Sequence, residues 1–205
     1  MASPRASPML CDRSRGSRAA VLLLALVGVS SVMALDIDDL HITKKGRTYK
    51  VQITFEVAGP VDRVMAVLTD YRYPDRLNPE VTKREVISRQ KRITRVRTEF
   101  NSCVFVFCKD VVLTQDVTVV AGTIEANIVP DESDFRSGYL RWLVSSSDNG
   151  GSHIDFEAVM EPDFFIPPLI GGFFVRKRLR EEILATAENL ETEAAREPAP
   201  VTNSN

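Results

Sequence analysis

Histidine is scarce in this chain: His41 and His153 are the only two. A catalytic zinc site usually draws three protein ligands, so histidine-based metal chemistry has little to build on. The chain also has no CxxC pair, no glycine-rich phosphate loop and no nucleophile elbow, which leaves no motif-level case for those chemistries. Basic residues form no stripe interleaved with aromatics, which argues against a nucleic-acid partner. Long apolar runs are missing as well. The longest candidate, Ala19–Val29, falls short of the roughly 20 residues needed to span a bilayer. There are no internal repeats.

What that short apolar run does have is context. Arg5, Arg13, Arg15 and Arg18 precede it, and Val32-Met33-Ala34 follows with residues a signal peptidase accepts. A basic region, an apolar region of this length and such an exit together read as a secretory signal over residues 1–34, cleaved after Ala34, rather than an uncleaved anchor. Export of this kind suggests a bacterial envelope, and hence the periplasm. Removing four arginines and Asp12 leaves 22 basic and 27 acidic residues, a net charge of −5.

Of the three cysteines, Cys11 leaves with the signal, so Cys103 and Cys108 remain in a compartment where disulfides persist. In one straight strand these two would face opposite ways, roughly 16 Å apart. A Cys103–Cys108 bridge is expected, and it requires the chain to turn between them; the alternative is two buried thiols in a continuous strand.

Val51, Ile53, Phe55 and Val57 alternate with Gln52, Thr54 and Glu56, which predicts a half-buried strand ended by Gly59-Pro60. Val61, Val64, Met65, Leu68 and Tyr71 then keep helical spacing from about Pro60 to Asp70, ahead of a turn-rich piece through Pro79. Strands are predicted near Val81–Ser88, Ile93–Phe100, Val111–Val120, Thr123–Val129, Tyr139–Ser145 and His153–Glu161. Breaks fall at Pro130–Asp134 and at the Asn149-Gly150 turn. Leu179, Ile183, Ala187 and Leu190 step by four, four and three, the stripe of a final amphipathic helix that begins near Pro167 and frays before Pro198. Residues 192–205 read as a disordered tail, so the domain spans 35–191.

Three stretches, in this order and spacing, resemble the START-like (SRPBCC) superfamily. They are Phe55-Glu56-Val57-Ala58-Gly59-Pro60-Val61-Asp62-Arg63-Val64, then Leu68-Thr69-Asp70-Tyr71 with Tyr73-Pro74, and last Pro162-Asp163-Phe164-Phe165-Ile166-Pro167. That superfamily includes the polyketide cyclase/dehydrase and coenzyme Q-binding families. The resemblance implies an α+β helix-grip fold, a curved antiparallel sheet wrapped around the long C-terminal helix. It further implies an apolar cavity between them that holds a lipid, quinone or other isoprenoid. Neither a cofactor nor a metal is implied. On that reading Phe55, Val64, Leu68, Phe156, Ala158 and Leu179 line core or cavity. Phe173 joins them, Trp142 stacks on a ligand ring or packs in the core, and Arg176 with Lys177 either sits at the mouth to meet a headgroup or lies on a solvated helix face.

His153, Asp155 and Glu157 share one strand face, but Ile154, Phe156, Ala158 and Met160 take the other, so the polar trio is expected to face water. Phe105 and Phe107 on the tip between the cysteines form one apolar patch, and Phe164–Phe174 forms a second. Both are candidates for peripheral membrane contact; the alternative is one buried strand and a buried helix start. The expected function is binding, and possible transfer, of a hydrophobic molecule by an exported protein. The alternatives are a cyclase/dehydratase-like enzyme, which would need Tyr139, Arg141 or Glu157 buried and pointing inward, and a filled-core interaction module without a cavity.

Overall fold

Alternation builds the sheet. In the computed structural model, which describes residues 37–104, 107–166 and 171–196, the run Val51–Val57 lies within β2 (Thr48–Val57), and its odd-numbered residues from Tyr49 on are buried. The chain divides into Met1–Val32 and Met33–Asn205, and every described residue belongs to the second unit. The signal reading therefore lies outside the described residues. Ahead of β2 runs β1 (Ile37–Lys45), a strand the sequence reading did not assign. Among its described side chains, Leu40 and Ile42 pack on the core, while Asp39, His41 and Thr43 face water.

After β2 comes α1 (Val61–Leu68), entered at Pro60 as expected. Six strands follow: β3 (Val81–Gln90), β4 (Ile93–Val104), β5 (Phe107–Val120), β6 (Thr123–Ile128), β7 (Phe135–Ser146) and β8 (Ser152–Pro162). They form one curved antiparallel sheet in the order β1-β2-β8-β7-β6-β5-β4-β3. Consecutive strands joined by tight turns pair antiparallel, and β8 returns beside β2, so β1 and β3 are the edges. Within β7, Gly138 has φ 149, and a Cβ there would stand 2.2 Å from the Val159 carbonyl oxygen, so the sheet passes only a glycine at this point.

The final helix, α2 (Gly171–Ala195), lies on the concave side of the sheet. Residues 167–170 are outside the described residues, so the start expected near Pro167 is not among them. At its other end the helix runs past Glu191, where the sequence reading placed the domain boundary. Glu193 and Ala194 are buried there, and Gly59 lets Ala194 approach so closely that an added Cβ would meet the Ala194 Cβ at 2.6 Å. The predicted stripe is real: Ala187 and Leu190 are fully buried, and Leu179 and Ile183 pack on the same cluster. Phe55, Val64, Ile154, Phe156 and Leu190 anchor that main core, between α1, α2 and strands β2 and β8. A second cluster, Val96, Val117, Ile124 and Ala126, sits on the far half of the sheet.

Cys103 and Cys108 face each other across the β4–β5 pair and form a disulfide, with Cα atoms 4.0 Å apart. The chain reverses between the paired residues Val104 and Phe107, as the bridge requires. Phe105 and the Phe107 side chain lie outside the described residues, so the membrane reading of that tip is not addressed by the structure.

Candidate functional site

The gap between α2 and the far half of the sheet is a cavity of about 250 Å³. Helical spacing supplies one wall: Leu179, Glu182, Ile183 and Thr186 fall at i, i+3, i+4 and i+7 and so share a face. Strand alternation supplies the other, with Val96, Thr98 and Phe100 from β4, Leu113, Gln115 and Val117 from β5, and Leu140 and Trp142 from β7. Leu68 and Tyr71 close it from α1 and the turn after it. The interior is therefore not filled by side chains, as the cavity-free reading required.

Apolar groups dominate this lining, and the polar ones are few and specific. Gln115 is buried, and its amide nitrogen has no hydrogen-bond partner among the described residues. The Nε of Arg84 donates to the Thr98 hydroxyl at 3.2 Å, and burial pulls the guanidinium pKa below its ordinary value. Burial pushes the Tyr71 phenol up, with the charges of Arg84 and Arg89 opposing. The Glu182 carboxyl is likewise pushed up by burial, although Arg178 opposes the shift from 2.9 Å; the Arg178 guanidinium is shared with Glu80 at 2.7 Å.

Tyr71, Leu77 and Arg84 line both this cavity and a larger outer groove of about 690 Å³. The groove runs between the end of α1, the turn through Arg76 and the outer part of β3, and Arg63, Arg72, Arg76 and Arg89 line it with Arg84.

Leu68, Trp142, Phe156, Ala158 and Leu179 all line the cavity. Trp142 points inward and packs on Phe156, ring centroids 4.2 Å apart. Phe55 and Val64 lie in the main core instead, at 1% and 0% exposure. Two placements differ from expectation. Phe173 is 63% exposed and Arg176 faces solvent, because both precede Leu179, the first residue of α2 that lines the cavity. Arg176 acts on Tyr49 instead, whose buried hydroxyl is pushed up by burial and drawn back by that charge. Lys177 is paired with Glu181 at 3.8 Å on the outer face of the helix.

The polar strand face behaves as expected. Glu157 bonds Lys50 at 2.8 Å and accepts from the Tyr139 hydroxyl, Asp155 accepts from Thr54 at 2.7 Å, and Arg141 is exposed. Tyr139, Arg141 and Glu157 thus all stand on the outer face of the sheet. Among the described residues no group of three or more His, Cys, Asp or Glu side chains is placed to hold a metal ion. No helix among them is long and apolar enough to cross a membrane.

Arg84, Thr98, Gln115 and Glu182 were not singled out from sequence. Thr98 and Gln115 carried a signal: each is a polar residue at a position whose neighbours two away, Val96 and Phe100 or Leu113 and Val117, are apolar and inward.

A family described as "Polyketide cyclase / dehydrase and lipid transport" matches residues 48–195. No curated protein matches the chain in sequence. Several solved structures share its architecture at low identity. A protein of Thermus thermophilus is 19% identical, with TM-score 0.58, 71% of this chain and 96% of that one covered. The Zhui aromatase/cyclase of Streptomyces sp. R1128 is 17% identical, with TM-score 0.57 and coverage of 72% and 93%. A STAR-related lipid transfer protein fragment of Xanthomonas axonopodis is 15% identical, with TM-score 0.58 and coverage of 78% and 100%. At these identities the likeness establishes the fold.

Proposed function

Since the chain belongs to the polyketide cyclase/dehydrase and lipid transport family, we propose that it binds a hydrophobic small molecule, a lipid, quinone or other isoprenoid, between its sheet and α2. The observation that carries this reading is the cavity itself: about 250 Å³ of unfilled space with apolar walls and a handful of polar groups. Burial of apolar ligand surface supplies roughly 25 cal/mol per Å². The unpartnered Gln115 amide, which costs about 1–3 kcal/mol left unsatisfied, favours a ligand that offers it an acceptor oxygen. The reading extends to an exported, periplasmic protein that transfers its ligand between membranes. Its supports are the basic and apolar pattern of residues 1–34, the Cys103–Cys108 disulfide, and the exposed rings of Phe165 and Phe173 as a membrane contact.

The enzymatic side of the family has one observation in its favour, the Glu182 carboxyl, which lines the cavity with its pKa raised by burial and is positioned to carry a proton. One experiment addresses both readings. The chain from Leu35 is purified from its native envelope, and its organic extract is compared by mass spectrometry before and after prolonged incubation. A near-stoichiometric lipid or quinone recovered unchanged supports binding. Conversion that disappears in Glu182→Gln supports the enzyme. A chain that carries nothing and takes up no added isoprenoid overturns the binding reading.

A further inference from the structure

The outer groove is lined by five arginines, Arg63, Arg72, Arg76, Arg84 and Arg89, against two carboxylates, Asp70 and Glu193. Both carboxylates are already engaged. Asp70 holds Arg72 through two bonds of 2.8 and 2.9 Å, and Glu193 pairs with Arg76 at 3.6 Å and with Arg196. Arg63 donates only to the Glu193 backbone carbonyl at 3.3 Å, and its buried Nε has no partner among the described residues. Arg84 meets the neutral Thr98 hydroxyl, and neither it nor Arg89 forms an ion pair with any described residue. A partly buried guanidinium with no counter-anion is costly, and it is the group best suited to grip a carboxylate or phosphate.

The position of Arg84 gives that surplus charge a use. It lies, with Tyr71 and Leu77, on the boundary between groove and inner cavity. The inner cavity, at about 250 Å³, is small beside the roughly 300–1,000 Å³ typical of small-molecule sites, so a lipid-sized ligand would extend beyond it. The boundary residues mark where such a ligand would leave, and what waits outside is positive.

Resting on the hydrophobic-ligand reading above, we propose that the natural ligand is an anionic amphiphile. Its apolar chain fills the cavity, and its carboxylate or phosphate passes Tyr71 to be held by Arg84, Arg89 and Arg63 in the groove. Charge-assisted hydrogen bonds to guanidinium select the anion over an uncharged ligand of equal chain length.

The chain's single tryptophan, Trp142, lines the cavity, so its fluorescence reports occupancy. The probes are dodecyl phosphate, dodecanoate, dodecanol and inorganic phosphate, titrated into the full chain, Arg84→Gln and Arg89→Gln. Arg89 is exposed, so its variant keeps the fold even if Arg84→Gln does not. Either amphiphilic anion should bind about tenfold to a hundredfold more tightly than dodecanol, and Arg89→Gln should shrink that ratio by about tenfold. Whichever anion shows the larger preference identifies the headgroup chemistry. Equal binding of dodecanol and both anions would overturn the arginine assignment while leaving the hydrophobic site intact. Inorganic phosphate binding as tightly as dodecyl phosphate would overturn the amphiphile and leave a free-anion site. No binding of any twelve-carbon probe would overturn the hydrophobic-ligand reading, and the headgroup assignment with it.

Discussion

Asp134 fastens three segments with one side chain and its own backbone. Its carboxylate accepts from the Val112 amide at 2.8 Å and from Lys109 at 2.5 Å, its amide donates to the Val112 carbonyl at 2.8 Å, and its carbonyl accepts from the Asp163 amide at 2.9 Å. Burial alone would raise its pKa, but the Lys109 and Val112 bonds outweigh it, and the folded value lies below the ordinary 3.8. A depressed carboxylate contributes stability that is present above the unfolded pKa and lost as pH falls through the folded one. Denaturant unfolding should therefore show stability declining as pH drops below about 4. Asp134→Asn should cost about 1 kcal/mol at pH 7 and make that decline shallower. A variant with an unchanged acid limb would show that this carboxylate does not drive it. In the sequence this residue read only as part of a polar break at Pro130–Asp134. Its partners sit more than twenty positions away in one direction and as far in the other, beyond any local pattern. Gln115 was harder in a different way: its parity with Leu113 and Val117 was visible, but whether that face looked into a core, a cavity or water was not.

At the scale of elements, the sequence was legible wherever one periodicity ran long. The steps from Leu179 to Leu190 located the buried stripe of α2, and β2 and β8 follow their alternation nearly residue for residue. β1 escaped because an edge strand buries little, and three apolar residues, Ile37, Leu40 and Ile42, unevenly spaced among charged and polar ones make no pattern. Phe173 misled for the opposite reason. Large and apolar, it reads as core by type, yet it precedes the helix's inward face by more than a turn. The two ends of the stripe differ in kind, which separates stability from binding. Leu190 is 0% exposed in the main core, whereas Leu179 borders the cavity. Leu190→Ala should cost about 3 kcal/mol and lower the melting temperature by roughly 6–12 °C. Leu179→Ala, whose neighbours are already loosely packed, should cost less than half of that. Equal losses in calorimetry would mean that the space beneath α2 is closed in solution.

For the molecule as a whole, the open sheet divides its labour by position. Strands β2 and β8, with α1 and the C-terminal half of α2, form a dense core. Strands β4 to β7 line the cavity opposite α2, while Asp116 and Glu132 brace that half from outside through Arg95 at 2.8 Å each. Density on one side and space on the other imply that the empty volume is retained at a cost in stability, since a filled interior would hold the fold better. Ala126 tests this. It is 7% exposed, lies on β6 beside Ile124 and opposite Leu140, and lines the cavity in the cluster that Trp142 packs against. Ala126→Leu adds three carbons to unoccupied space without touching a hydrogen bond, so it should raise the melting temperature by a few degrees. The same carbons remove room a ligand needs, and uptake of a twelve-carbon chain, read by Trp142 fluorescence, should weaken at least tenfold. A variant that is both more stable and undiminished in uptake would move the binding site out of the cavity and onto the surface. A variant that loses stability would show the wall already close-packed, because overfilling a tight core costs about 1–3 kcal/mol.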